Sequence, residues 1–486
     1  MPEKTDYYHR LNIDTGASEE AIKKAYRLAA RKAHPDVNRN EGATQLFLDI
    51  QEAYKVLSDP DKKEAYDQGR EPSPVSKTIH TNIQYSRDAL LKMDEPQIIY
   101  TLVDIVSVQE EKTAPSDLPL NISLVLDNST SMAGHRLDIL KAATKEIIQE
   151  LGDNDLVSVV SFNDRASVHL PSQTRPGPSQ IESSISSLFA EGGTEIFQGL
   201  EAGFEQLRKN RLFEYVNHII LITDGHTYGD EENCLTLADA AADLDIGISG
   251  LGIGIEWNDE FIDQLCAQTG GQSMFIQDFK QVKQFLEQSI SSLKQAHSRR
   301  VTLEVQLPPG VTLLSAFRIL PEALPLPVQE EYSLGILKKD QKHRVLFEFL
   351  VDPVGEHIER GVIAAGEFVV KRTPRDYTIP FTLELPLTAN EDGIEPPQAE
   401  IFQAISHLVF YRLQEKAQRD IAEGNPGTAY QRLINLSSHL MSKGEETLAK
   451  VAMNEADYIK QHNNFSPTGK KQLKYGTIRL LLPENT

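Results

Sequence analysis

Ile122-Ser123-Leu124-Val125-Leu126-Asp127-Asn128-Ser129-Thr130-Ser131 is an apolar strand that runs without a break into a polar, hydroxyl-rich turn. The pattern recurs downstream. Leu156 to Phe162, His218 to Thr223, Ile246 to Ile253 and Ser273 to Ile276 are further near-continuous apolar runs, separated by helix-length segments. Strands with no polar alternation must be covered on both faces, and helical crossovers between them make the pairing parallel. Residues 118–297 are therefore expected to form a doubly wound α/β domain around a mostly parallel sheet.

Outward from this unit the style of the sequence changes. Ile98 to Val108 alternates as a half-exposed strand does, and Val301 to Leu307, Tyr332 to Leu337, Arg344 to Val351, Val362 to Val370 and Tyr377 to Leu385 look antiparallel. The expected arrangement is one β-sandwich built from 79–117 plus 298–388, with the α/β domain inserted in it. A separate trailing sandwich that merely flanks it is the alternative. Residues 395–465 read as antiparallel helices broken near Gly424-Asn425-Pro426-Gly427 and Ser442-Lys443-Gly444, and 466–486 as a tail. No sustained repeat suggests a solenoid.

Three hydroxyls and two carboxylates fall where a ligand site is expected. Asp127, Ser129 and Ser131 follow the first apolar strand, Thr194 opens a helix within Glu191-Gly192-Gly193-Thr194-Glu195, and Asp224 directly follows another strand. In an open parallel sheet the loops at the carboxyl ends of the strands converge at a topological switch point. An oxygen-only, partly anionic set suits Mg²⁺, with Mn²⁺ or Ca²⁺ able to substitute, and the lack of His and Cys disfavours zinc. The same residues could instead serve as capping hydrogen bonds with no metal.

The set resembles the metal-ion-dependent adhesion site of the von Willebrand factor A (VWA) family. The likeness extends to the strand ends Ser161-Phe162-Asn163-Asp164 and Gly252-Ile253-Gly254, over roughly 170 residues. It implies that Asp127, Ser129, Ser131, Thr194 and Asp224 hold the metal, and that a carboxylate from a partner protein fills its open position. Trp257, the only tryptophan, lies just past a strand end. Wall packing is its expected role, with a contact at the metal face as the alternative.

The first 70 residues are of a third kind. Ile22, Tyr26, Ala29 and Ala33 recur at helical spacing, while Lys23, Arg27 and Arg31 form a cationic stripe on another face. Ser18 is a candidate N-cap, with Glu19 and Glu20 in the first turn. Pro35 drives His34 out of the helical region and ends the helix. Phe47, Ile50, Tyr54 and Leu57 repeat the apolar spacing, and Asp59-Pro60 opens a short further helix. Residues 71–78 form a Pro/Ser linker.

With Tyr7-Tyr8, Leu11, Ile22 to Arg27, His34-Pro35-Asp36, Phe47 to Asp59 and Lys62 to Asp67 in register, residues 1–70 resemble the all-α J domain of the DnaJ family. That resemblance implies a DnaK-type chaperone ATPase as partner. The basic helix with Lys23, Lys24, Arg27 and Arg31 would dock on it, and His34, Pro35 and Asp36 would trigger its hydrolysis of ATP.

Composition bounds the alternatives. The 486 residues carry a formal charge of −22, yet the first 70 hold 12 Lys and Arg against 13 Asp and Glu, so the acidity belongs to the later domains. Nucleic acid is an unfitting ligand for such a surface. Only Cys234 and Cys266 occur, far apart, which argues against a disulfide framework and for buried packing in a reducing, cytoplasmic setting. No apolar run reaches membrane-spanning length.

The expected function is that of a J-domain co-chaperone that stimulates a DnaK-type ATPase and recognises a client or partner through a Mg²⁺-dependent VWA site, itself catalysing nothing. The Gly/Phe-rich linker and Cys-x-x-Cys repeats of longer DnaJ proteins are absent. One rival is a VWA scaffold or assembly protein whose J domain recruits chaperone for remodelling. A metal-dependent phosphohydrolase with His226 as general base is a second, opposed by Ser129 standing where an Asp-x-Asp site needs its second carboxylate, and by the lack of a phosphate loop.

Overall fold

The computed structural model describes residues 23, 26, 50, 53–58, 63, 79–107, 118–210, 215–225, 227, 229–254, 256–276, 279–338, 341–353, 360–371, 376–389 and 396–482. The chain divides into two compact units, Met1–Ser76 and Lys77–Thr486. In the first, Lys23 and Tyr26 are helical, as are Ile50 and residues 53–57. Ile50, Ala53 and Leu57 are buried, and the Tyr26 and Tyr54 rings stack with centroids 4.1 Å apart, so the two amphipathic stretches meet along their apolar faces. Lys23 is exposed, as a stripe residue should be. Lys24, Arg27, Arg31, His34, Pro35 and Asp36 lie outside the described residues.

In the second unit the decisive stretch is strand β4 (Leu120–Asp127), buried along its whole length. It pairs in parallel with β5 (Leu156–Phe162) on one side and β7 (Val216–Thr223) on the other. Strands β8 (Ile246–Ile253) and β9 (Ser273–Ile276) continue beyond β7. The far edge is closed by β6 (Ala166–Thr174), antiparallel to β5 and largely exposed. Its polar residues hide it from a search for apolar runs.

Helices α1 (His135–Gln149), α2 (Pro178–Ser186) and α6 (Gln281–Lys294) cover one face of this sheet. Helices α3 (Ile196–Lys209), α4 (Glu231–Asp243) and α5 (Asp259–Thr269) cover the other. Helix α3 lies close on the strands because it carries glycines at the contact. A Cβ on Gly199 would stand 2.5 Å from the Phe162 ring, and one on Gly203 2.6 Å from Val125. Cys234 and Cys266 are buried and unpaired in this core.

Strands from both sides of the α/β unit share the two remaining sheets. Strands β1 (Ile79–Tyr85) and β3 (Gln97–Ser107) pair with β14 (Lys342–Val351), which leads on to β11 (Val311–Leu320) and β12 (Leu324–Leu326). The second sheet runs β13 (Glu331–Gly335), β10 (Arg300–Gln306), β15 (Arg360–Lys371), β16 (Tyr377–Thr388) and the short β2 (Leu90–Leu91). Val103, Phe347 and Phe349 from one sheet and Leu303, Phe368 and Phe381 from the other join one core, which makes the pair a sandwich.

Helix α7 (Ala399–Ala422) lays Ile401, Leu408 and Tyr411 on the outer face of the first sheet, against Leu102, Phe317 and Leu346. Helices α8 (Pro426–Ser442) and α9 (Glu446–His462) pack beside it. The stretch expected as a tail from 466 instead holds a fourth helix, α10 (Pro467–Leu480). Pro467 takes the first helical position and Ser466 caps it by accepting from the Gly469 N–H. Among the described residues, no helix is long and apolar enough to cross a membrane.

Candidate metal centre

Chain reversal around β4 places the site. β4 feeds β5 on one side, and the chain returns through α3 to β7 on the other, so the loops after β4 and β7 open side by side. Asp127 ends β4 with no exposed surface. Its Oδ1 accepts from the Ser129 N–H at 2.8 Å and its Oδ2 from the Thr223 hydroxyl at 2.6 Å. The Ser129 and Ser131 hydroxyls are 2.9 Å apart, and Ser131 donates to Asp224 Oδ1 at 2.6 Å. Four of the five expected residues are thus joined in one hydrogen-bonded chain from carboxylate to carboxylate.

Thr194, the fifth, comes from the loop before α3 and is buried. That loop is tied to the β4 turn: the Thr130 N–H and hydroxyl donate to Gly192 O, the Glu191 N–H to Asn128 O, and Asn128 Nδ2 to Phe189 O. Asp164 braces it from below, accepting from the Gly193 N–H at 2.8 Å. Gly192 has φ +71° and no room for a Cβ, which would stand 2.6 Å from the Asp164 carboxylate. On the other side a Cβ on Gly225 would lie 3.1 Å from the Thr194 hydroxyl oxygen, so the glycine after Asp224 lets that hydroxyl approach. Thr227 and Asp230 accept from the first N–H groups of α3, joining the Thr194 and Asp224 loops.

Burial pushes the Asp127 carboxyl up to about 6, against the opposing pull of its bonds from Ser129 and Thr223. A cation at this point would offset that desolvation. The donor set is hard oxygen throughout, and it fits Mg²⁺ or a similar ion. Its anionic content is modest. Among the described residues no group of three or more His, Cys, Asp or Glu is arranged to hold a metal, so a metal here would lean on hydroxyls and on oxygens from elsewhere.

Two residues at this site were not singled out from sequence. Arg136, in the first turn of α1, donates to Asp224 Oδ2 at 2.7 Å and is the charged neighbour of that carboxylate. It stands five residues beyond Ser131, a spacing that the start of a helix would have made legible. Phe189 is 69 % exposed on the Thr194 loop, and because it stands between Leu188 and Ala190 the sequence offers no signal that separates it from a packing residue. Trp257 is 1 % exposed, which excludes the contact role and leaves wall packing. His226 lies outside the described residues.

A second acidic cluster follows β8. Asp259 and Asp263, one turn apart on α5, face Lys474 of α10, whose ammonium lies 2.6 and 2.7 Å from them. Lys471 donates to Trp257 O and stands 4.3 Å from the centre of the Trp257 ring. All four charged groups are buried. Burial opposes the charge on Lys474, but Asp263 and Asp259 outweigh it and hold the lysine above its ordinary range.

Comparison with known proteins agrees with this layout. The DnaJ domain family matches residues 6–67, the von Willebrand factor type A domain family residues 121–288, and the Sll0103-like, C-terminal alpha-helical domain family residues 399–483. The chain is 32% identical over 252 residues to "Uncharacterized protein sll0103" of Synechocystis, covering 50% of this chain and 60% of that protein. It is 53% identical over 64 residues to the chaperone protein DnaJ of Lactococcus lactis, 13% of this chain and 17% of that one. The chain thus spans less than two thirds of either relative. Among solved structures, a von Willebrand factor type A protein from Catenulispora acidiphila superposes with a TM-score of 0.64 at 15% identity, covering 82% of this chain and 96% of that one. The ArnB paralog VWA2 from Sulfolobus acidocaldarius does so at 0.53 and 14% identity, covering 83% and 98%. The chain is therefore multidomain, with a DnaJ domain, a VWA-like α/β domain and a helical C-terminal region.

Proposed function

We propose that the protein is a J-domain co-chaperone whose VWA-like domain selects the protein to which a DnaK-type ATPase is delivered. The observation that carries this reading is the hydrogen-bonded chain Asp127–Ser129–Ser131–Asp224 with Thr194 beside it, in a chain whose residues 6–67 match the DnaJ domain. Ser129, Ser131, Thr194, Asp127 and Asp224 would hold Mg²⁺. When bound, the ion supplies a Lewis-acidic centre with a position open to an Asp or Glu carboxylate of the partner. The chain's own residues bind and orient: Asp164 and Asn128 fix the Thr194 loop, and Thr223 holds Asp127. The chain turns over no substrate. Lys23, Lys24, Arg27 and Arg31 dock the ATPase, and His34, Pro35 and Asp36 stimulate it. Two buried, unpaired thiols suit a reducing compartment.

Two measurements on the full chain test this. Steady-state ATP turnover by a DnaK-type chaperone should rise with the wild-type chain and stay at its basal level with His34→Gln. Proteins captured from a lysate in Mg²⁺ should be released by EDTA and missed by Asp224→Ala. Stimulation that survives His34→Gln, or capture indifferent to EDTA, overturns the reading. A single stoichiometric partner in that eluate, rather than a spread of unfolded chains, would favour the scaffold alternative.

A further inference from the structure

The two carboxylates of the site are not matched by the same kind of donor. Asp127 has a backbone N–H on one oxygen and a buried hydroxyl on the other. Asp224 has the Ser131 hydroxyl on Oδ1, but a full positive charge on Oδ2, the guanidinium of Arg136 at 2.7 Å. Exposure is split across that pair: the Asp224 side chain is 1 % exposed and that of Arg136 52 %. A solvent-side cation thus closes on a buried anion, at the place where the expected ion would need that anion's charge.

We propose that Arg136 is a tethered cation that competes with the divalent ion for Asp224, so that the site loads by displacing an arginine and not by filling a bare cage. The inference rests on the metal-site reading given above and adds a residue that sets its affinity. Two features of Arg136 suit it to compete. It is aimed, because Nη1 also reaches Ser131 O at 3.3 Å, and Ser131 is the residue that links the two carboxylates. It is also restrained without being buried, since its Cζ lies 5.3 Å from the centroid of the Phe279 ring, in the turn that leads into α6.

Arg136 is half in solvent and is rehydrated as it leaves, while an incoming ion takes over as counter-charge to the buried Asp224. Arg136 can therefore give way to an ion of higher charge density, while the metal-free carboxylate keeps a counter-charge. By linkage the effect is reciprocal: whatever factor the metal removes from the Arg136–Asp224 pair, the arginine removes from metal affinity.

The experiment is a calorimetric Mn²⁺ titration of the full chain as wild type, Arg136→Gln, Arg136→Lys and Asp127→Ala. Arg136→Gln should bind Mn²⁺ at least about fivefold more tightly than wild type, and Arg136→Lys should stay nearer to wild type because the charge remains. A silent wild type that gains Mn²⁺ binding in Arg136→Gln supports the same conclusion. Equal or weaker binding by Arg136→Gln, with the wild type binding, overturns the competition and leaves the metal site standing. No Mn²⁺ heat from wild type or Arg136→Gln overturns the metal-site reading itself. If Arg136→Gln does not fold, Phe279→Ala carries the test: it loosens the guanidinium and should tighten Mn²⁺ binding in the same direction, and unchanged affinity there overturns the proposal.

Discussion

Two pairs of aspartates follow neighbouring parallel strands, and they have opposite fates. Asp259 and Asp263, beyond β8, are neutralised by Lys474, a buried lysine from a helix more than two hundred residues away, with Lys471 beside it. Asp127 and Asp224, beyond β4 and β7, have hydroxyls and one half-exposed arginine. The first pair is closed by the chain itself, so its chemistry is spent in fastening α10 to the α/β domain. Among the described residues the second has no buried counter-cation. Acidic residues near a strand end are therefore not a site by virtue of charge: what distinguishes a site from a staple is whether the fold has already supplied the cation.

The sharpest way to break that distinction is at the staple. Lys474→Met should leave Asp259 and Asp263 buried without their main counter-charge and cost about 3–5 kcal/mol of unfolding free energy in urea. Adding Asp259→Asn and Asp263→Asn should restore most of it, because the penalty lies in the stranded charges. A loss below about 1 kcal/mol would mean that the cluster is solvated and the contrast unfounded.

Next comes the pH dependence of the same cluster. Burial, with help from Lys474 and Lys470, lowers Lys471 to about 8. Its folded value then lies below its unfolded one of 10.5. Between pH 8 and 10.5 the unfolded chain holds the extra proton, so stability should rise with pH through that window. Below pH 8 the buried charge costs at most about 3 kcal/mol, and above 10.5 nothing. The difference in urea midpoints between wild type and Lys471→Met across this range measures it. A flat difference would show that the bond to Trp257 O and the contact with its ring offset the desolvation fully.

At the open pair the test is ligand linkage. Mg²⁺ at about one hundred times its dissociation constant should raise unfolding free energy by about 2.7 kcal/mol, by mass action alone. Asp224→Ala should abolish the gain, and Lys474→Met should keep it in full. If both variants lost it, the two clusters would be one coupled system and not two regions with separate tasks.

The sheet and the grouping of the candidate site residues were legible because they rest on local rules. A strand buried on both faces must be apolar throughout, and ligands gather at carboxyl ends, so Asp127, Ser129, Ser131, Thr194 and Asp224 could be named before any coordinates. Edge strands and long-range charge pairs follow no such rule. Strand β6 is polar because it is exposed, and β11 hides behind register shifts at Leu313/Ser315 and Arg318/Leu320. Helix α10, in the stretch expected as a tail, carries Lys470, Lys471 and Lys474. Two of the three are buried against α5 and Trp257, whose carboxylates and carbonyl only the fold brings to them. Arg136 escaped notice for the same reason, since its partner Asp224 is 88 residues away.

The smallest effect should come from Phe189, and it bears on whether the open pair has a rim. The ring is 69 % exposed, with Lys141 Nζ 5.5 Å from its centroid, while the backbone carbonyl is held by Asn128 Nδ2 at 2.7 Å. The main chain is thus fixed to the β4 turn and the side chain is left in water. Phe189→Ala should change stability by no more than about 0.5 kcal/mol, because no core packing is lost. If the rim meets the partner, the same substitution should weaken Mg²⁺-dependent capture by roughly 1 kcal/mol, about fivefold, the scale of an aromatic contact outside the centre of an interface. A large loss of stability with capture unchanged would make Phe189 a packing residue, and would confine partner recognition to the metal and its immediate oxygens.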